Sequence, residues 1–177
     1  MSNNILITGP PGCGKTTLIR QIAAELALDV SGFYTEEIRE DGKRQGFRIE
    51  FLDGKSGILA RKGLSSKYRV GSYGVDLAQF DSLIAQEKLN IMKSACVIID
   101  EIGKMELFSQ QFRELITRVL DSNQAVAATI MYKPHPFADS IKNRADVDLI
   151  RLEKNRFQPA KKQVLDLMKT YNPARDF

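Results

Sequence analysis

Apolar residues fall along this chain in two rhythms, short unbroken runs and a three-to-four-residue spacing, and the two alternate. Asn4 to Thr8 is a brief apolar run, and the glycine-rich GPPGCG follows it. From Lys15 to about Ala27 the spacing turns helical, with Leu18, Ile19, Ile22, Ala23 and Leu26 on one face. Three strand-like stretches come next, GFYTEEIRE, QGFRIEFL and KSGILA, separated by Asp41-Gly42 and Asp53-Gly54. Asp-Gly suits the tight turn of a hairpin, so these stretches predict an antiparallel insertion after the first helix. A basic loop, RKGLSSKYRVGSYG, leads to Asp76, which is placed to cap a helix reaching about Met92 with Leu77, Phe80, Leu83 and Ile84 inward.

The second half repeats the alternation. CVIID reads as a buried strand ending in an acid, and Ser109 opens a helix with Phe112, Leu115, Ile116 and Val119 inward. AVAATI and VDLIRL read as further strands, and a last helix is expected from about Pro159 to Tyr171. Strands alternating with helices predict an α/β fold, a mostly parallel sheet flanked by helices. No linker or repeat interrupts the pattern, so residues 1–177 are expected to form a single domain. Ligands of such sheets bind beyond the carboxyl ends of the strands, where Gly9 and Asp100 fall.

Candidate chemistry gathers at those two places. Gly9 to Thr16 read GPPGCGKT and match the phosphate-binding pattern G-x-x-x-x-G-K-[ST] at every fixed position. Gly9 and Gly14 let the backbone turn tightly and aim its N–H groups at phosphate oxygens, at the amino end of a helix that favours an anion. Lys15 can reach the β- and γ-phosphates and the Thr16 hydroxyl can ligate Mg²⁺. Pro10, Pro11, Gly12 and Cys13 fill the variable positions, and Thr17 follows the pattern. No catalytic role is expected of Cys13, although a bulky group attached there is expected to crowd the phosphate-binding backbone. A buried strand ending in Asp is the Walker B pattern, so Asp100 is expected to hold Mg²⁺ and Glu101 to position or deprotonate an attacking water.

Other residues are weaker candidates. Lys104 is open to two readings, neutralising charge on the γ-phosphate or pairing with Glu106 at the surface. Arg156, after the last strand, could stack on a nucleobase. The loop from Arg61 to Tyr73 carries Arg61, Lys62, Lys67 and Arg69 without an acid, and reads best as solvated. His135, the one histidine, has no nearby Cys or His to share a metal.

Bulk properties narrow the function. The 43% apolar and 27% charged content belongs to a folded, water-facing protein, and no apolar run nears the length of a membrane span. The net charge of +4 suits an anionic ligand and is too small to argue for nucleic acid, which is left open without being indicated. Two cysteines and the absence of a signal-peptide pattern in MSNNILITGPPG lead us to expect a reducing cytoplasm.

TGPPGCGKTTL, GFYTEEIRE, GFRIEF, VGSYGVDL and IIDEIGKMELFS, in this order, resemble the small P-loop nucleoside-triphosphatase family first described from thermophiles, with relatives in bacteria, archaea and animals. The resemblance covers about three quarters of the chain and thins after roughly residue 130. It implies a cytoplasmic, Mg²⁺-dependent hydrolase that slowly converts ATP, GTP, CTP and UTP to diphosphates with little preference for base. It also implies a P-loop fold with an extra strand between the two Walker strands. By motif position it adds Val97, Ile98, Ile99, Ile102 and Gly103, with Asp100, Glu101 and Lys104, to the nucleotide-binding stretches. We therefore expect a monomeric P-loop enzyme in which Lys15, Glu101 and Lys104 act on the triphosphate and Thr16 and Asp100 hold the metal. The rivals are a small nucleoside, nucleotide or polynucleotide kinase and a nucleotide-driven RNA-binding switch.

Overall fold

The computed structural model describes residues 3–26 and 28–170. Its strands are Asn4–Thr8 (β1), Val30–Glu40 (β2), Lys43–Phe51 (β3), Ser56–Lys62 (β4), Arg69–Val70 (β5), Tyr73–Val75 (β6), Cys96–Ile102 (β7), Ala125–Ile130 (β8) and Val147–Arg151 (β9). Its α-helices are Lys15–Glu25 (α1), Leu77–Lys93 (α2), Gln110–Leu120 (α3), Pro136–Lys142 (α4) and Phe157–Thr170 (α5), with one 3-10 turn at Glu106–Phe108. Among the described residues the strands form one sheet in the order β5-β6-β4-β3-β2-β7-β8-β1-β9. From β2 to β9 in that order every pairing is parallel. The β3, β4, β6 and β5 end is antiparallel, as the Asp-Gly turns predict.

The central parallel strands β1, β7 and β8 are mostly apolar because both faces of the sheet are covered there. Every residue of β1 and β8 is buried. On one face α1 and α5 pack over Ile5, Ile7, Ile98 and Ala127. On the other, α2 and α3 pack over Leu6, Phe33, Val97 and Ile99. Phe33, Phe80 and Phe112 form an aromatic knot there, with ring centroids 5.4 to 6.3 Å apart. The capping signals hold: Asp76 accepts from the Gln79 N–H at 3.0 Å and Ser109 from the Phe112 N–H at 2.9 Å. β8 lies between β1 and β7, the extra strand that the resemblance implies.

Several boundaries differ from expectation. β7 does not stop at Asp100 but runs on to Ile102, whose pairing with Ile130 resumes after a register shift that starts at Ile99. The basic loop is not wholly loop, since β4 ends at Lys62 and β5 and β6 make a small hairpin inside it. α4 went unpredicted because PFADSIK is too short to show a helical face; His135 caps it, accepting from the Ala138 N–H at 3.5 Å. α5 begins at Phe157, two residues early, because Pro159 falls in the first turn, where its missing N–H costs nothing. α1 closes at Glu25; Ala27 and Tyr171 lie outside the described residues.

Candidate active site

The loop from Gly9 to Gly14 joins β1 to α1 at the carboxyl end of the parallel strands. Gly14 adopts φ 103° at the amino end of α1, a conformation that costs other residues strain. Gly9 is tight for another reason: a Cβ there would lie 2.5 Å from the Leu152 carbonyl and 2.8 Å from Cys13 Sγ. Lys15 Nζ donates to the Gly9 carbonyl at 2.9 Å and the Pro10 carbonyl at 3.4 Å, so its ammonium lies folded over the loop mouth. Pro10, Pro11, Gly12, Thr16 and Thr17 are exposed along that mouth.

Asp100 is almost sealed from solvent, at 2% exposure, and two hydroxyls reach it. Thr129 Oγ1 donates to Asp100 Oδ1 at 2.6 Å, and the Thr16 side chain lies near enough to the same carboxyl to favour its charged form. Burial pushes the Asp100 carboxyl above its usual range, and these hydroxyls with the Arg20 and Lys15 charges pull it back. Glu101 is also raised by burial, against the Lys15 charge. The peptide bond between Asp100 and Glu101 is cis.

Behind Glu101 stands a second carboxyl. Glu106 is buried, accepts from Thr35 Oγ1 at 3.2 Å, and is pushed up to about 8 by burial and by the Glu101 charge. Gly103 makes room for it: a Cβ there would sit 2.8 Å from Glu106 Oε2 and 3.6 Å from Glu101 Cδ. The surface pairing of Lys104 with Glu106 is therefore corrected, since Lys104 is exposed and Glu106 enclosed. On the α1 side Arg20 donates to Glu36 at 2.6 Å and its guanidinium lies 4.5 Å from the centre of the Tyr34 ring. Tyr34 is the register partner of Asp100.

Four of the nucleotide-binding positions have their side chains in the core. Val97, Ile98 and Ile99 are 0% exposed and Ile102 1%, so their side chains fill the two cores beneath the site and leave only backbone for any contact with a ligand. The backbone of Cys13 belongs to the loop and its thiol is buried under α1, with its Sγ 2.8 Å from where a Cβ on Gly9 would lie, so a bulky group attached there would press on both the core and the loop backbone. Arg156 is exposed at the start of α5, close to the loop, because its neighbour Phe157 meets Gly14. Lys142 pairs with Asp139, and Arg144 with Asp121 and Asp146 ahead of β9, at the amino ends of the parallel strands.

The family model for the NTPase family, described as NTPase, matches residues 4–165. The chain belongs to that family. It is 51% identical over 154 residues to the nucleoside-triphosphatase THEP1 of Thermotoga sp. strain RQ2, covering 86% of this chain and 88% of the relative. It is 39% identical over 171 residues to the human cancer-related nucleoside-triphosphatase, covering 87% of this chain and 90% of that one. The crystal structure of THEP1 from Aquifex aeolicus superposes with a TM-score of 0.85 at 38% identity, over 94% of this chain and 99% of that chain. Within this NTPase fold the loop, Asp100 and Glu101 were legible as motifs. Thr35, Glu106 and Thr129 were not, because each acts across strands distant in sequence. A signal did exist for Thr129, a polar residue inside an otherwise apolar strand.

Proposed function

We propose that this protein is a nucleoside-triphosphatase that uses Mg²⁺ to hydrolyse purine and pyrimidine nucleoside 5′-triphosphates to diphosphate and phosphate, slowly and with broad base tolerance. Membership of the NTPase family and the names of its relatives support the reaction class. The observation that carries the finer reading is the placing of Glu101 beside Asp100, at the carboxyl end of β7 and within reach of the Lys15 charge.

The residues fit a magnesium ion. Thr16 and Asp100 offer one hydroxyl and one carboxylate, hard oxygen donors that leave room for waters and phosphate oxygens, as Mg²⁺ requires. Among the described residues no group of three or more His, Cys, Asp or Glu could hold a metal, which speaks against an all-protein cage. When bound, the ion supplies charge that stabilises the phosphate oxygens. The backbone of Gly9 to Gly14 grips the β- and γ-phosphates, and Lys15 leaves its loop carbonyls to meet them. Glu101 holds a water in line and accepts its proton as the water oxygen bonds to the γ-phosphorus. The bond from that phosphorus to the bridging oxygen breaks, and the diphosphate leaves with the electron pair. Base tolerance follows from contacts concentrated on phosphate, with Arg156 and Phe157 at the rim.

A kinase of this size would use a basic lid late in the chain; of the candidates Lys133, Lys142 and Arg144, the last two are ion-paired with Asp139, Asp121 and Asp146, which leaves the exposed Lys133 alone for that part. Purified protein with Mg²⁺ should release phosphate steadily from ATP, GTP, CTP and UTP with no acceptor present. Glu101→Gln should cut turnover by about 10²-fold or more while still binding nucleotide. Stoichiometric phosphate transfer to a nucleoside, a nucleotide or an RNA end, with little release to water, would overturn the hydrolase reading.

A further inference from the structure

We infer that Thr129 is a positioning residue for Asp100: its hydroxyl pins one carboxylate oxygen so that the other stays aimed at the Thr16 side, where the metal is proposed to bind. This rests on the reading of Asp100 and Thr16 given above. The hydrogen bond is 2.6 Å, a charge-assisted length, between residues that are 0% and 2% exposed. With so little solvent at either group, the Thr129 bond is well protected from competition by water.

The sheet explains why the contact forms. Ile99 pairs with Ala128 and Ile102 with Ile130, so β7 spends three residues where β8 spends two. Such a bulge re-aims side chains, and here it sets Asp100 against Thr129. Thr129 is also the register partner of Ile7, one residue before the end of β1, so it lies between the two motif strands. Its neighbours on the same face of β8 are Ala125 and Ala127, small residues beneath α1. Valine has the same shape as threonine and would pack there at no polar cost, whereas a buried hydroxyl must be bonded to be tolerated. Thr35 and Ser109 also donate to carboxyl groups, those of Glu106 and Asp81, but the carboxylate that Thr129 bonds is the one proposed to hold the metal. Groups that bond a metal-holding carboxylate commonly set metal affinity without touching the ion.

The test compares Thr129→Val, Thr129→Ser and Thr129→Cys in the full chain, with thermal melting to confirm folding. The readout is equilibrium binding of adenylyl imidodiphosphate by calorimetry, in MgCl₂ and in chelator. The ratio of the two affinities isolates the metal's share of binding. Thr129→Ser should keep the wild-type ratio within about twofold, and Thr129→Val should lose about tenfold or more of it. Thr129→Cys, similar in size but a weak donor, should fall between them, and it decides the matter if the valine variant does not fold. A purely structural threonine would lower the melting temperature and leave the ratio alone. A wild-type ratio in folded Thr129→Val or Thr129→Cys overturns the inference, as does an equal loss in Thr129→Ser. No Mg²⁺ effect in the wild type would instead remove the metal from Thr16 and Asp100, and the role of Thr129 with it.

Discussion

Among the described residues no cation pairs with the buried Glu106 carboxyl. Thr35 donates to it, while burial and the Glu101 charge together raise it from 4.5 to about 8. The folded protein therefore keeps this proton through a range where the unfolded chain has released it. Below pH 4.5 both states hold the proton and nothing is lost; between 4.5 and about 8 the unfolded state gains ground as pH rises; above that both are ionised. The slope in the window is about 1.4 kcal/mol per pH unit for one proton. Glu106→Gln keeps the shape and a neutral group, so it removes this slope. Urea unfolding at pH 5 and pH 8 should show the variant gaining on the wild type by about 4 kcal/mol between the two. Parallel pH–stability curves would mean that Glu106 is ionised in the fold. Cys13 makes the opposite point: its sequence position lies in the phosphate loop, yet its thiol faces the core under α1. Cys13→Ala should retain turnover, and its effect should be confined to stability, at a cost of about 1 kcal/mol measured by thermal unfolding.

Helices read from the sequence as well as their caps allow. α2 and α3 begin where Asp76 and Ser109 predict, because a side-chain oxygen satisfies an N–H that the first turn leaves open. Ser109 does more than cap, since its own hydroxyl donates to Asp81 on α2 and so ties two helices together. Ser109→Ala removes both bonds and leaves a buried site without them. Stability should fall by about 1–2 kcal/mol, with an unchanged urea m-value and intact nucleotide binding. A loss below the error of the measurement would show that the Asp81 contact carries nothing. Strand ends were less legible. The end of β7 depends on where Ile102 finds a partner, and that partner, Ile130, lies on β8. α4 is too short to announce itself and stands on a histidine cap and a proline in its first turn.

At the scale of the molecule the candidate site is built from the ends of several strands and the start of α1. Thr35 comes from β2, Asp100 and Glu101 from β7, Thr129 from β8 and the phosphate loop from the end of β1. The unfolded chain cannot assemble that set, so nucleotide should bind the folded state alone and stabilise it by mass action. At a hundredfold excess over the dissociation constant the gain is about 2.7 kcal/mol, or roughly 5–10 °C in melting temperature for a chain of this size. Chelation of Mg²⁺ should remove much of that shift, and ATP and CTP should give similar shifts. A shift with one base alone would assign Arg156 or Phe157 a larger share of recognition than the phosphate loop. A shift indifferent to chelator would count against the metal at Asp100.

The sequence by itself determined the local devices. GPPGCGKT specifies its own turn and helix start, because its glycines answer local backbone demands and its lysine and threonine follow at fixed spacing. The Asp-Gly turns, the caps and the unbroken apolar strands were likewise decided within a few residues of where they act. Tertiary structure decided everything that depends on strand order and register. Those features are the burial of the Val97, Ile98, Ile99 and Ile102 side chains in the core, the turning of Cys13 toward the core, and the enclosure of Glu106 behind Thr35. The hydrogen bond from Thr129 to Asp100 spans 29 residues and two strands. A pairing over that distance is set by which strands lie side by side and by one bulge, and neither is encoded in the residues adjacent to it.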